Sequence, residues 1–476
     1  MIMKAIKYLF IGAMMLGFCA PAVAQDEDQA TINAITKVIK ENKGGYDAIK
    51  DEVKAVFKKN KKNAKVLTAM GVAFKEAKDT ANAREYAELA LKAAKNHYAP
   101  ARLLLGDLEA IADNAGAAAS QYQMAIDDDP KNPEGYFKYA SVYRKVSPKL
   151  AVAKLDELAK QRPDVAVNAM KARFWFDDKE FDKAIDAYKL DPMAKLDRGD
   201  LTNFATAHYF TGKHAEGLPI VEEGIKRFPR HAPFNRLGMF FNYELGNFDK
   251  SLDYAERLFN ASDSLKASWM DHFYHGLAMQ SARSDYDGAI NEFKTAMGME
   301  VPASNKLSLI QTLYSAYSAK GDFDNAIKYY NEYLAAKGNP NANDYNSLAR
   351  MYLKHAEEVP AAEKEQWQMK ADATYGEAIQ KFPGNAEYLN ILRARLNATI
   401  DADMSRGLAK PYYEAAASML EAKANLEAGE KTRLIECYRY LGWYYNEKAD
   451  KAQCQNYWRK VKELDPTNTE ADQFLQ

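Results

Sequence analysis

The residues best placed for chemistry are His272 and His275, three apart with Asp271 beside them. On a helix that spacing puts both imidazoles on one face, where with the carboxylate they could share a divalent metal. The same two positions are also the aromatic and leucine places just before Gly276 in a pattern described below, and packing is the preferred reading. His97, His208, His214, His231 and His355 show neither H-E-x-x-H nor any other ligand spacing. The chain has no G-x-S-x-G and no glycine-rich phosphate loop following a strand. No catalytic residue, metal site or cofactor is assigned, and the chain reads as a non-enzyme.

Beyond Cys19, the cysteines are Cys437 and Cys454, too few for a disulfide framework in 476 residues. In the helix-pair geometry argued below, Cys454 stands opposite Gly442 and Cys437 lies five residues earlier. That offset is roughly 7.5 Å along a helix axis, added to an interhelical spacing of ~8 to 10 Å. It exceeds the ~7 Å that a bridge spans, so two free thiols are expected.

The elements that must carry these residues repeat. Leu105 and Gly106 are followed twelve residues after the glycine by Ala118, then Tyr122, Ala125 and Pro130. Leu441, Gly442, Cys454, Trp458, Val461 and Pro466 return at the same intervals. Between them stand Gly71 with Ala83, Ala87 and Ala90, and Ala140 with Ala151, Leu155, Leu158 and Pro163. Further sets are Ala205 with Gly217, Val221, Gly224 and Pro229, and Gly276 with Ala289, Phe293 and Ala296. Around Gly238 the intervals are off by one. Each unit is a pair of amphipathic helices in which a small residue on the first meets a small residue on the second. From Tyr345 the second-helix set arrives only at Ala371, Tyr375, Ala378 and Pro383, an interval of twenty-two instead of twelve, which predicts longer helices or a loop near Pro360. A similar expansion separates Ile391 from Ala409 and Tyr413.

A period of about thirty-four residues with this order of small, aromatic, alanine and proline places, running from Val66 to Pro466, resembles the tetratricopeptide repeat family. The resemblance implies an all-α fold: a right-handed α-solenoid, or superhelix, of about ten or eleven tandem antiparallel helix pairs. Its concave groove would be lined by the first helix of each pair, and protein or peptide binding is the commonest role. The organisation expected is 1–24 signal peptide, 25–63 N-terminal capping helices, 64–192 first part of the array and 193–470 second part. The shortened second helix before Pro192 supplies the joint.

If the first helices line a groove, the outward places lie near the small residue. They are Phe137 and Arg144, Asn203 and Tyr209, Asn235 and Asn242, Asn346 and Arg350, and Arg439, Trp443 and Asn446. Asn hydrogen-bonds a peptide backbone, Arg holds a carboxylate in a bidentate grip, and Trp offers an anchor. The carboxylate clamp of chaperone-binding members of the family needs Lys three before and Asn one after the small residue. Thr68 and Val72, Leu103 and Asp107, and Phe137 and Ser141 stand in those places, so no such clamp is expected.

A formal net charge of −1 leaves no field to attract nucleic acid, and the lysines from Lys54 to Lys65 read as a solvated helix end. Lys4 and Lys7, an apolar run from Tyr8 to Phe18 and Ala22-Val23-Ala24 read as a secretory signal. Phe18 before Cys19 argues against lipid attachment there. No further stretch reaches the ~20 apolar residues of a spanning helix, so no transmembrane helix is expected in the mature chain. The chain is expected to be exported, to the periplasm first, with secretion or a peripheral position at the outer membrane as the other destinations. The function expected is a non-catalytic envelope scaffold that holds protein or peptide segments. The alternative is a glycan-binding or nutrient-uptake accessory, suggested by 30 tyrosines, although most of these fall at core places of the repeat.

Overall fold

The computed structural model describes residues 27–475, and residues 1–24, read as a signal peptide, and Cys19 lie outside them. Among the described residues the regular structure is helical, with 25 α-helices and two short 3-10 turns. They fall into two compact units, divided between Leu237 and Gly238.

The first unit starts with α1 (Glu27–Glu41) and α2 (Tyr46–Asn60), parted at Gly44-Gly45 as the sequence suggests. Pairs follow as α3/α4 (Ala64–Glu76, Thr80–Ala93), α5/α6 (Ala99–Ile111, Ala115–Asp128), α7/α8 (Pro133–Tyr143, Pro148–Gln161), α9/α10 (Asn168–Asp177, Phe181–Tyr188) and α11/α12 (Arg198–Phe210, His214–Arg227). The division between units falls inside α13 (Ala232–Glu244). The second unit continues with α14 (Phe248–Ala261), α15/α16 (Trp269–Arg283, Tyr286–Met297), α17/α18 (Ala303–Lys320, Phe323–Ala336), α19/α20 (Ala342–Glu358, Ala361–Lys381), α21/α22 (Ala386–Ile400, Lys410–Glu421) and α23/α24 (Ala428–Glu447, Lys451–Leu464). A single helix, α25 (Thr469–Leu475), ends it. The joint read before Pro192 falls within the first unit, where α10 is only 8 residues long.

Each pair is built by the same local chemistry. In α3, Val66, Leu67, Met70, Ala73 and Phe74 are buried, a three-and-four spacing that forms one apolar stripe against α4 and α1. In several pairs the turn is closed by one residue of positive φ followed by an N-cap: Lys78 before Asp79, Asp113 before Asn114, Gly321 before Asp322 and Ala449 before Asp450. The left-handed residue reverses the chain, and the cap oxygen accepts a backbone N–H that the new helix leaves unpaired.

The small residue of the first helix does two different jobs. At Gly71 a Cβ would lie 2.7 Å from Leu104 and 3.0 Å from the Ala83 carbonyl oxygen, the small-on-small contact expected; at Gly276 it would lie 3.0 Å from the Ala289 carbonyl oxygen but 2.6 Å from the Phe293 ring. At Gly106, Gly238 and Gly442 the close neighbour is instead a ring, Tyr122, Tyr254 and Trp458, at 2.3, 2.5 and 2.7 Å. The aromatic sixteen residues downstream lies flat over the glycine because no side chain stops it.

The long interval after Tyr345 is taken up by helix length, with 17 residues in α19 and 21 in α20 and Pro360 capping the second. The expansion after Ile391 is a loop wound on Asp401, whose buried carboxylate accepts N–H bonds from Arg406 at 3.0 Å and Leu408 at 3.1 Å. No helix among the described residues is long and apolar enough to cross a membrane.

Candidate functional site

Outward-facing polar and aromatic groups stand on the first helices of the second unit. On α19, Asn346 is half-buried and accepts a hydrogen bond from the Tyr375 hydroxyl at 3.2 Å. One turn on, Arg350 is exposed, and no carboxylate pairs with it among the described residues. Burial pushes the Tyr375 phenol up to about 12, with Arg350 opposing the shift and Tyr388 adding to it, which places both near that phenol. Tyr388 of α21 is 46% exposed. The Asn346 amide thus meets the Tyr375 hydroxyl, while Arg350 and Tyr388 act on it through charge.

Farther along, the first helices grip one another. Arg395 of α21 holds Glu436 of α23 with both ends of its fork, at 2.8 and 2.6 Å, and Tyr413 adds a third bond at 3.2 Å. Arg433 of α23 reaches back to Glu387 of α21 at 2.7 Å. Arg439 donates to Glu470 of α25 at 2.6 Å, and the Trp443 indole N–H donates to the same carboxylate at 3.0 Å. Asn446 is exposed.

The first unit places its sequence-read residues differently. Phe137 is half-buried against the core around Tyr136, and Arg144 caps α7 with its Nε buried and without a hydrogen-bond partner. Asn203 is half-buried, and Tyr209 rests on Phe210 and His214.

Two of the eleven residues do not face outward. Asn235 is 0% and Asn242 is 1% exposed. Asn235 donates to the Pro229 carbonyl at 3.2 Å, and Asn242 donates to its own helix at the Gly238 carbonyl, 2.8 Å away. The cause is α13 itself, where Phe234, Leu237, Met239, Phe240 and Phe241 are all buried, so the apolar pattern covers most faces and the asparagines turn inward to satisfied carbonyls. The irregular intervals at Gly238 carried a warning of this.

His272 and His275 are paired with a carboxylate rather than buried as simple core residues. Both are half-buried, and their Nδ1 atoms lie 2.6 and 3.3 Å from the two oxygens of Glu292 on α16. Phe259 rests against both rings. Burial pushes the Glu292 carboxyl up, but the two imidazoles beside it, His275 and His272, outweigh it and hold the group below its usual range. Among the described residues no group of three or more His, Cys, Asp or Glu could hold a metal ion. Cys437 and Cys454 are buried free thiols, and burial pushes that of Cys437 up to about 12, so it stays protonated and a poor nucleophile.

Sequence reasoning passed over Tyr388, Arg395 and Glu470 as surface groups. Beside Tyr388, Leu389, at 2% exposure, fills the core.

Residues 315–340 match the family model described as Tetratricopeptide repeat. No curated protein matches the chain. Among solved structures, the C-terminal part of a TPR repeat-containing protein from Cytophaga hutchinsonii is 24% identical, covering 58% of this chain and 99% of that one at a TM-score of 0.40. A tetratricopeptide repeat protein from Parabacteroides merdae is 16% identical, covering 53% of this chain and 98% of that one at a TM-score of 0.34.

Proposed function

We propose that this chain of helical repeats, with a tetratricopeptide repeat at residues 315–340, is a non-catalytic scaffold of the cell envelope that holds protein or peptide segments on its first helices. The observation that carries the proposal is the Asn346, Arg350 and Tyr388 cluster. An exposed guanidinium with no carboxylate of its own, beside an amide and an exposed ring, matches what an extended peptide presents: carboxylates, backbone amides and apolar side chains. Export rests on the leader-like residues 1–24.

The test is crosslinked affinity purification from an envelope fraction, with the wild-type chain beside one carrying Arg350→Ala and Tyr388→Ala. One or a few stoichiometric proteins should come down with the wild type, and the double variant should weaken their binding by about tenfold or more, the loss of one anchor. Recovery of no protein, or equal recovery with both chains, overturns the reading.

A second reading has its own observation. Phe210 is 59% exposed and stacks on Phe181 at 4.7 Å, a flat aromatic face of the kind on which a sugar ring packs. Glycan-array binding lost on Phe210→Ala would favour the glycan-binding accessory instead.

A further inference from the structure

Outside the candidate site, one titratable ring is buried with half of its hydrogen-bonding capacity unused. His208 sits in the last turn of α11 and is 1% exposed. Its Nδ1 lies 2.9 Å from the Phe204 carbonyl oxygen one turn back, and because a carbonyl only accepts, Nδ1 carries the hydrogen and donates it. Nε2 is then a bare lone pair, buried and without a hydrogen-bond partner among the described residues. The Phe204 ring lies 5.0 Å from the imidazole. A neutral ring suits this place, whereas a protonated one needs an acceptor at Nε2 that the packing does not provide.

The charges around the ring do not supply that acceptor. Burial pushes the His208 imidazole below its ordinary range; the bond to Phe204 opposes the shift, Lys189 adds to it, Glu216 opposes it and Lys213 adds to it. Lys189 closes α10, Lys213 stands in the turn before α12 and Glu216 lies in the first turn of α12. Glu216 is already engaged with Lys189 at 3.0 Å, and Lys213 with Asp182 of α10 at 2.6 Å. On α9 the charge turned toward α11 is Arg173, held by Asp197 and Asp200 at the opposite end of α11 at 2.8 and 2.6 Å.

An imidazole released when the pair opens takes up a proton at about 6.5, while the buried one stays neutral to lower pH. The neutral ring therefore stabilises the pair fully above that value, and the contribution is lost as pH falls from there toward the folded value. We propose that His208 is a pH-sensitive latch of the α11/α12 pair, which holds the pair closed while its imidazole is neutral and lets it open locally when Nε2 takes a proton. Each pair touches chiefly its sequence neighbours, so the opening need not spread along the array. Asn203, Tyr209 and Phe210 ride on α11, and their positions become pH-dependent with it. The latch depends on neither reading of the proposed function.

The experiment is hydrogen exchange on the full chain at two pH values, one pH unit above and one below the ordinary imidazole value, expressed as protection factors so that the intrinsic pH dependence of exchange drops out. Protection in α11 and α12 should fall roughly five- to tenfold at the lower pH, because the open state alone then holds the extra proton. Protection in α23 and α24, which carry no histidine, should change by less than about twofold.

His208→Asn tests the ring itself. An asparagine can bond the carbonyl one turn back, as Asn242 and Asn390 do at 2.8 and 2.9 Å, but it takes up no proton in this range. The variant should show equal protection in α11 and α12 at both pH values. A wild type whose protection there does not change, a fall that His208→Asn leaves in place, or an equal fall in α23 and α24 overturns the proposal. A measurement on the wild type alone decides the matter if the variant does not fold: an NMR titration of the folded chain should place the His208 midpoint below the ordinary imidazole value, and an ordinary or raised midpoint overturns the latch.

Discussion

At the scale of single residues, the glycines and one aspartate link packing to charge. A Cβ at Gly106 would meet Tyr122 Cε1 at 2.3 Å, and the Tyr122 ring, at 3% exposure, has nowhere to go. Alanine favours a helix over glycine by about 1 kcal/mol, yet overpacking a core costs about 1 to 3. Gly106→Ala is therefore expected to lower stability, measured by urea unfolding. The same ring places its hydroxyl 2.9 Å from Asp107, which also takes Lys75 at 2.6 Å and Lys138 at 2.7 Å. Burial pushes the Asp107 carboxyl up, but Lys138 and Lys75 outweigh it and hold the group below its usual range. A carboxyl lowered in the folded state stabilises fully above its unfolded value, and that contribution is lost as pH falls through the folded value. Asp107→Asn should thus cost about 1 to 3 kcal/mol near neutral pH. The difference from wild type should shrink below the ordinary carboxylate range, a crossing that unfolding curves at several pH values would reveal.

At the scale of elements, the turn inside each pair decides how sharply the second helix folds back. Ala449 sits at φ 56°, a left-handed conformation that a Cβ disfavours by roughly 1 to 2 kcal/mol. Ala449→Gly should raise the melting temperature, because removing that Cβ outweighs the freedom glycine adds to the unfolded chain. One residue on, Asp450 accepts the Gln453 N–H at 3.0 Å as the cap of α24. Asp450→Ala should lower stability by about 1 kcal/mol, measured in the same melts. Opposite signs at adjacent positions would separate backbone strain from capping, whereas loss at both would show that the turn tolerates no change.

At the scale of the whole molecule, helix pairs that touch chiefly their sequence neighbours make stability local. Gly106→Ala should speed hydrogen exchange in α5 to α7 and leave the amides of α23 and α24 unchanged. A uniform rise across both compact units would refute local coupling. The period, the helix pairs and the buried small residues were legible in the sequence, because each depends on neighbours at most one repeat away and side-chain volume alone dictates them. The same reasoning put Asn346 and Arg350 on one face of α19, because their places are set by the 3.6-residue turn of one helix, and there Asn346 is half-buried and Arg350 exposed. It misplaced Asn235 and Asn242, because whether a helix has an outward face at all depends on what covers it, and α13 is covered on most sides. Nor did spacing reveal that Glu292 answers His272 and His275, or that Glu470 and Phe474 return to Arg439, Trp443 and Trp458. Those contacts join residues on different helices, and their rotation and height relative to one another are set only when the helices pack. The sequence by itself determined which elements exist and which stripe each one buries. Tertiary packing decided which polar groups are already answered from within the chain, and so which of them remain open to a partner.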